Sequence, residues 1–249
     1  MRRAQHRRGD RVVSHGLEAR RLAISLVGVT AWRVEDHRGP AGAHAALPEP
    51  AGRTVRLLEV DGPALILGSS QPVDHVDEAA AARAGIEVAR RRSGGGAVLV
   101  GPGVALWWDV FIPPGDPLWE SDVGRAFHWL GRSFAEALQG LGLPARWYDG
   151  PMRHSRWSRQ VCFAGLGPGE VLVDGRKVAG MSQRRTRAGA LFQCCIMLVW
   201  APSALIDVLA LDTAERSQAA AELRDVATGI GPGQEENLRA AFLAALGTR

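Results

Sequence analysis

The spacing of apolar and polar residues predicts most of the elements between Thr54 and the C-terminus. VRLLEV (55–60) and ALILG (64–68) flank Asp61-Gly62-Pro63, a pattern that predicts a β-hairpin. Asp74 is placed to cap an Ala-rich helix over about 75–84, which Gly85 ends. IEVARRR (86–92) reads as a strand, and SGGG separates it from a second strand, AVLV. A long apolar strand follows from Val104 to Ile112, where Pro113-Pro114 stops it. From Asp122, the residues Val123, Phe127, Leu130, Phe134, Leu138 and Leu141 recur at steps of three and four, one face of an α-helix. EVLV (170–173), Asp174-Gly175 and RKVAG (176–180) predict a second hairpin with a type I′ turn. Arg187-Ala188-Gly189 turns the chain again into LFQCCIMLVW (191–200). Helices are expected around 203–210, 213–224 and 234–246. Strand meanders with intervening helices predict an α+β (mixed α/β) sheet with helices packed on it.

Residues 1–53 lack such periodicity. They are an Arg/Gly/Pro-rich extension, expected to be partly disordered, with order beginning at Thr54 and one catalytic domain filling 54–249. Seven arginines in residues 1–21 face Asp10 and Glu18 alone, and no aromatic interleaves them, so single-stranded nucleic acid is not the expected partner. No apolar run approaches the roughly 20 residues of a membrane span, and no secretory signal is visible, which makes the cytoplasm the default. The three cysteines, Cys162, Cys194 and Cys195, have no metal-box spacing, so no metal site is expected from them.

Composition adds one sharp observation. The chain has a single lysine, Lys177, against 29 arginines. Where arginine has replaced lysine almost everywhere, a surviving lysine marks a position that suits a compact ammonium and not a planar fork. Survival by chance is the competing explanation. Lys177 lies in DGRKVAGMSQRRT, where Ala179 and Gly180 leave room for a ligand; an exposed hairpin lysine would have the same sequence. The second feature is RRRSGGGAV (90–98). Three glycines admit a ligand close to the backbone, where N–H groups can converge on an anion, and Arg90, Arg91 and Arg92 add charge. It is neither a Walker A loop nor a dinucleotide fingerprint, and a tight strand connection would use the same glycines.

The two elements together, RRRSGGGAV and, about 80 residues on, DGRKVAGMSQRRT with an apolar strand, resemble the lipoate–protein ligase A family, within the biotin/lipoyl ligase and octanoyltransferase superfamily. The resemblance covers about 55–245 and includes LRDVATGIGP. It implies a class II aminoacyl-tRNA synthetase/biotin ligase-like sheet with flanking helices. It implies that ATP, with Mg²⁺, activates lipoate or octanoate to an acyl-adenylate, and that the acyl group passes to a lysine of a lipoyl carrier domain. Such carriers are 2-oxoacid dehydrogenase E2 domains and the glycine cleavage H protein. Lys177 would then hold the acyl carbonyl and α-phosphate oxygens. Arg92 and the backbone of Ala97, Val98, Leu99 and Val100 would contact the nucleotide, with Gly94, Gly95 and Gly96 shaping the loop and Gly180 leaving space.

The chain departs from the family pattern at several points. Leu99, Val100 and Gly101 stand where an aromatic and His-Asp are usual, and Gln193-Cys194-Cys195 where His-His-Gly is usual. An Arg-Asn-Asp before the lysine hairpin is missing, and no room is left for a C-terminal accessory domain, a role a helper subunit would fill. Two alternatives follow. One octanoyltransferase branch carries the acyl group as a thioester on a Cys-Phe pair ahead of the lysine hairpin, and Cys162-Phe163 stands eight residues before Glu170. Taken alone, Cys162 is equally a small buried thiol. The other alternative is a non-catalytic protein that binds lipoate or a carrier domain. Of Trp107 and Trp108, strand alternation lets at most one line an acyl tunnel.

Overall fold

The computed structural model of the chain describes residues 18–23 and 32–249. Eight strands form one large sheet, in spatial order β1 (Glu18–Ala23), β2 (Arg33–Gly39), β3 (Thr54–Val60), β7 (Ala105–Ile112), β11 (Ala190–Met197), β10 (Arg176–Arg185), β9 (Val171–Val173) and β8 (Ala145–Trp147). Only β2 and β3 run parallel; the other neighbours are antiparallel. A small sheet holds β5 (Glu87–Arg90), β4 (Ala64–Leu67) and β6 (Val98–Val100), with β4 in the middle. The helices are α1 (Ala41–Ala45), α2 (Glu78–Arg83), α3 (His128–Gly140), α4 (Pro202–Ile206), α5 (Thr213–Leu223) and α6 (Glu235–Gly247).

Strand alternation stacks these parts into layers. Trp108 and Cys194 point to one face of the large sheet, where Phe134 of α3 and Phe242 of α6 meet them. Their neighbours Trp107 and Cys195 point to the other face, against Ile66, Val98 and Val100 of the small sheet. Leu65 and Leu67 of β4 face outward again and are covered by α4, α5 and Trp157. The sequence of layers is therefore helices, large sheet, small sheet, helices. The interval between the two sheets is where the candidate site lies. No helix among the described residues is long and apolar enough to cross a membrane.

Most elements form where the periodicity predicts them, and the α+β architecture is as expected. The exceptions have physical reasons. VRLLEV and ALILG are not a hairpin: β3 joins the large sheet and β4 the small one. Both strands are buried almost throughout, so each takes neighbours in its own layer. Asp77, not Asp74, caps α2 through the Ala80 N–H, because a 3₁₀ turn occupies Val73–His75. Val123 is 60% exposed, since the chain from Asp122 first makes a 3₁₀ turn and α3 begins at His128. Order does not wait for Thr54. β2, with sequence RVEDHRG, carries no apolar run, yet it pairs with β3 along its whole length. Its buried Glu35 is held by Arg56 at 2.9 Å and by His37 at 3.2 Å, so paired charges take the place of apolar side chains. Residues 1–17, which hold most of the basic stretch, lie outside the described residues.

The α3–α6 pair gives the large sheet its support. Phe134 and Phe242 stack at 4.1 Å between ring centroids, and both are fully buried. Truncating Phe242 removes a ring that also touches Trp108 at 5.2 Å. Phe242→Ala is expected to lower unfolding free energy by about 3–5 kcal/mol, measured by denaturant titration of the purified variant.

Candidate active site

The glycine stretch, the Cys162 segment and the lysine hairpin converge between the two sheets. A pocket there encloses about 340 Å³ of unfilled space, part of it open to solvent. Its walls are mostly apolar: Ile66, Val98, Val100, Trp107 and Met181, with Cys162, Gly180 and Gln193 at polar or open points. Of the tryptophan pair, Trp107 lines it and Trp108 belongs to the helix side of the sheet.

Lys177 is 3% exposed. Its Nζ donates to the carbonyls of Cys162 and Gly165, each at 3.0 Å, and pairs with Glu170 Oε1 at 2.7 Å. An ammonium has three N–H donors, and these three oxygens take them all. The charge also sits 4.8 Å from the centre of the Phe163 ring. Glu170 is held in turn by the N–H groups of Gly167 and Met181. Burial pushes the Glu170 carboxyl above its ordinary value, while Lys177 and the two N–H groups pull it back only partly. A β-bulge at Lys177–Ala179 breaks the β9–β10 register at this point. Such a bulge re-aims a side chain locally. Gly180 is needed for space: a Cβ there would come within 3.1 Å of Lys177 Cε and 3.4 Å of the Phe163 ring.

The glycine stretch is joined to the Cys162 segment by backbone. Ala97 N–H donates to Gln160 O at 2.8 Å, and Cys162 N–H to Ala97 O at 2.9 Å. A Cβ on Gly96 would fall 2.7 Å from Val161 N, so only glycine permits this approach. Gly95 takes a φ of 102°, which also favours glycine. The three arginines are all committed to carbonyls. Arg90 reaches Gly68 and Gln71, Arg91 reaches Ile66, Gly94 and Gly96, and Arg92 reaches Ala45 and Ala46. Arg91, not Arg92, is the buried one that lines the pocket.

A polar network anchors the start of the loop. Gln193 Oε1 accepts from Arg92 N–H, Ser93 N–H and Ser93 Oγ at 3.1, 3.0 and 2.8 Å. Ser93 Oγ also meets Ser182 Oγ at 2.6 Å. Behind Gln193 lies Asp109, fully enclosed, which accepts from Trp107 Nε1 at 3.1 Å. Burial pushes the Asp109 carboxyl up to about 6, against the partial relief of those hydrogen bonds. Sequence reasoning missed Glu170, Arg91, Ser93 and Asp109 as parts of this site. A buried acid in an apolar strand (ALWWDVFI) was the available signal for Asp109.

The cysteines separate by environment. Cys194 and Cys195 are buried, and burial pushes both thiols upward. Cys162 is half-buried and opens on the pocket. The pocket thus gathers Val98, Val100, Gly180 and Cys162 of the expected residues. Gly94, Gly95, Gly96 and Ala97 shape the loop beside it. Leu99 packs towards the outer helices, Arg92 turns to α1, and Lys177 stands behind the Cys162 segment.

Two stacked sheets, an apolar pocket between them with a glycine loop beside it, and a buried lysine behind the Cys162 segment make up the candidate site. The lipoyl protein ligase A/B catalytic domain model matches residues 43–240, and the chain belongs to that family. An octanoyltransferase LipM of Kyrpidia tusciae is 30% identical over 211 residues, covering 79% of this chain and 76% of the relative. A LipM of Exiguobacterium is 27% identical over 150 residues, and there the chain spans 54% of the relative's length. Among solved structures, a bi-partite lipoate protein ligase of Thermoplasma acidophilum superposes with a TM-score of 0.65 at 19% identity, covering 83% of this chain and 74% of that one. A lipoate–protein ligase A bound with ATP gives 0.55 at 20% identity, covering 79% and 72%. These two likenesses establish the shared synthetase-like fold.

Two outcomes are expected from the buried charges. Lys177→Met should destabilise the fold by about 3–5 kcal/mol, because it leaves Glu170 buried without its partner. Adding Glu170→Leu should restore most of that stability in thermal melts but not the activity, which depends on how the Cys162 segment is held. Asp109 supplies the pH dependence. Its folded value of about 6 lies above the ordinary 3.8. The native state then holds the extra proton between these values, so stability falls as pH rises from about 4 to about 6. Asp109→Asn should flatten that slope, read from unfolding midpoints across the same pH range.

Proposed function

We propose that this protein is an acyltransferase of the lipoylation system that carries the acyl group, octanoyl or lipoyl, on Cys162 as a thioester. The observation that carries the reading is the placement of Cys162. It is the one half-buried thiol among the described residues, and it opens on an apolar pocket. A relative at 30% identity bears the name octanoyltransferase. Lys177 spends its three donors on Cys162 O, Gly165 O and Glu170 and has none to spare for a phosphate. A thioester donor is already activated, so this reading uses neither ATP nor Mg²⁺, which the resemblance implies for the adenylating reaction.

The reaction divides into two exchanges. Cys162 Sγ attacks the acyl carbonyl of a donor thioester; a new S–C bond forms, the donor's C–S bond breaks, and the departing thiolate takes the proton that Cys162 gives up. The neutral amine of an acceptor lysine on a lipoyl carrier domain then attacks the Cys162 thioester. A C–N bond forms, the S–C bond breaks, and the amine's proton returns to the Cys162 sulfur. The apolar walls Ile66, Val98, Val100, Trp107 and Met181 bind the acyl chain and keep water from the thioester. Lys177 and Glu170 act as positioning residues, fixing the backbone on either side of Phe163 so that Cys162 faces the pocket.

The test uses the purified protein with an octanoyl thioester and, separately, with lipoate, ATP and Mg²⁺. The expected result is an octanoyl adduct on Cys162 by peptide mass mapping, transfer of that group to a carrier domain, and no adduct in Cys162→Ser. Pyrophosphate release with lipoate and ATP, undiminished in Cys162→Ser, would instead establish the adenylating reaction. Tight binding of lipoate with neither reaction would establish a non-catalytic role.

A further inference from the structure

The segment that leads into Cys162 is exposed and strongly basic. MRHSRWSRQ (152–160) carries Arg153, Arg156, Arg159 and His154, all solvent-exposed, with no acidic residue between Asp149 and Glu170. None of the three arginines has an ion-pair partner among the described residues. This sets them apart from the arginines of the glycine loop, which are spent on carbonyls. Two are laid against aromatic rings: Arg153 lies 5.1 Å from the Tyr148 ring centre and Arg156 4.7 Å from that of Trp157. Stacking restricts the guanidinium while leaving its N–H edge for a carboxylate. Met152 beside them is 53% exposed and offers an apolar contact within the basic patch.

The strap is fastened to the segment it would serve. Arg153 and Leu166 exchange two backbone hydrogen bonds at 2.8 and 3.0 Å, and Ser158 Oγ lies 3.5 Å from Ala164 O. Val161 N–H donates to Trp157 O at 2.8 Å, and the Trp157 indole is pinned by Glu222 at 2.7 Å. The strap therefore folds back over residues 164–166, where Lys177 holds the carbonyl of Gly165. It leads directly into Cys162 and is bonded to the residues on both sides of it.

We propose that Arg153, Arg156 and Arg159 form the docking surface for the acyl-accepting carrier domain, and that this domain presents its acceptor lysine within an acidic surface. The inference rests on the acyl-transfer reading above. A lysine reaches only the length of a four-carbon stem. The acceptor's backbone must therefore come close to Cys162, and the strap is the exposed basic segment that runs into Cys162 and is bonded to the residues after it. Unpaired arginines there attract carboxylates and speed encounter, and this attraction weakens with salt.

The experiment compares wild type with the triple variant Arg153→Glu/Arg156→Glu/Arg159→Glu, and with Arg153→Gln/Arg156→Gln/Arg159→Gln as the milder form. The probe is an unmodified lipoyl carrier domain with acidic residues around its acceptor lysine. Binding is measured by titration calorimetry at about 0.05 M and about 0.5 M salt. Wild type should bind at low salt and lose about tenfold or more in affinity at high salt, and both variants should bind weakly at either salt. Equal binding by wild type and variants, or binding insensitive to salt, would overturn the docking surface. So would the absence of binding by wild type at low salt. Acylation of Cys162 by a small octanoyl thioester is followed in parallel by mass. It should match wild type in both variants, which also reports that they are folded. Loss of acylation in both variants with retained carrier binding would count against the proposal. Failure of wild type itself to acylate would sink the acyl-transfer reading while the binding result still decides the docking surface.

Discussion

A single buried ammonium organises the centre of this molecule. Lys177 leaves the hairpin at a bulge, runs past Gly180 and ends against Glu170 and the carbonyls of Cys162 and Gly165. Each of these groups would be costly to bury alone. A carbonyl without a donor, a carboxylate without a counter-charge and an ammonium without acceptors each carry a desolvation penalty. Together they satisfy one another, and the loop from 162 to 170 has one arrangement that achieves it. The Cys162 thiol sits at the first residue of that loop. Its position is therefore set by an electrostatic closure on its backbone, with its side chain left free to face the pocket.

The same closure separates the two jobs a cation could have here. An ammonium that stabilises a developing oxyanion needs a donor to spare. The three donors of Lys177 are spent on protein oxygens, while Arg91 donates to the carbonyls of Ile66, Gly94 and Gly96 through its two terminal nitrogens. Behind the pocket, Lys177 is neutralised by Glu170. Along residues 152–160, the arginines have no ion-pair partner among the described residues. Charge for structure and charge for recognition thus occupy different surfaces. Apolar walls of Ile66, Val98, Val100, Trp107 and Met181 suit an acyl chain, which is the ligand the proposed reaction needs there.

The elements that carried a strong period were legible in the sequence. β7, β11, the Asp174-Gly175 hairpin and α3 form where the apolar spacing places them, Asp174 and Gly175 both with positive φ. The two linked motifs lie on segments that flank one pocket, which Val98 and Val100 line after the glycine loop and Gly180 and Met181 after the lysine. What the sequence hid was pairing between distant charges. β2 reads as polar because Glu35, His37 and Arg56 neutralise each other only after folding. For the same reason Glu170 reads as the start of a strand, when its carboxylate closes on Lys177 seven residues later. Which of three consecutive arginines turns inward is equally invisible. Strand alternation allows Arg91, or both Arg90 and Arg92, and only the position of Gln193 against the backbone of Arg92 decides it.

The lone lysine now has a specific physical account. Its head group lies between two carbonyls, a carboxylate and the face of Phe163, and its stem passes where a Cβ on Gly180 would already be too close. A guanidinium is wider, planar and fixed in its directions of donation. It could face the carboxylate of Glu170 in parallel, but the carbonyls of Cys162 and Gly165, three residues apart at the two ends of a 3₁₀ turn, must be reached as well. A tetrahedral ammonium can address three oxygens that surround it, whereas a fork addresses groups arrayed along its edge. The pressure that turned other lysines of this chain into arginines therefore meets a geometric limit at residue 177. The limit is imposed by the backbone around Cys162, so the retention of lysine and the placement of the thiol are two consequences of one packing arrangement.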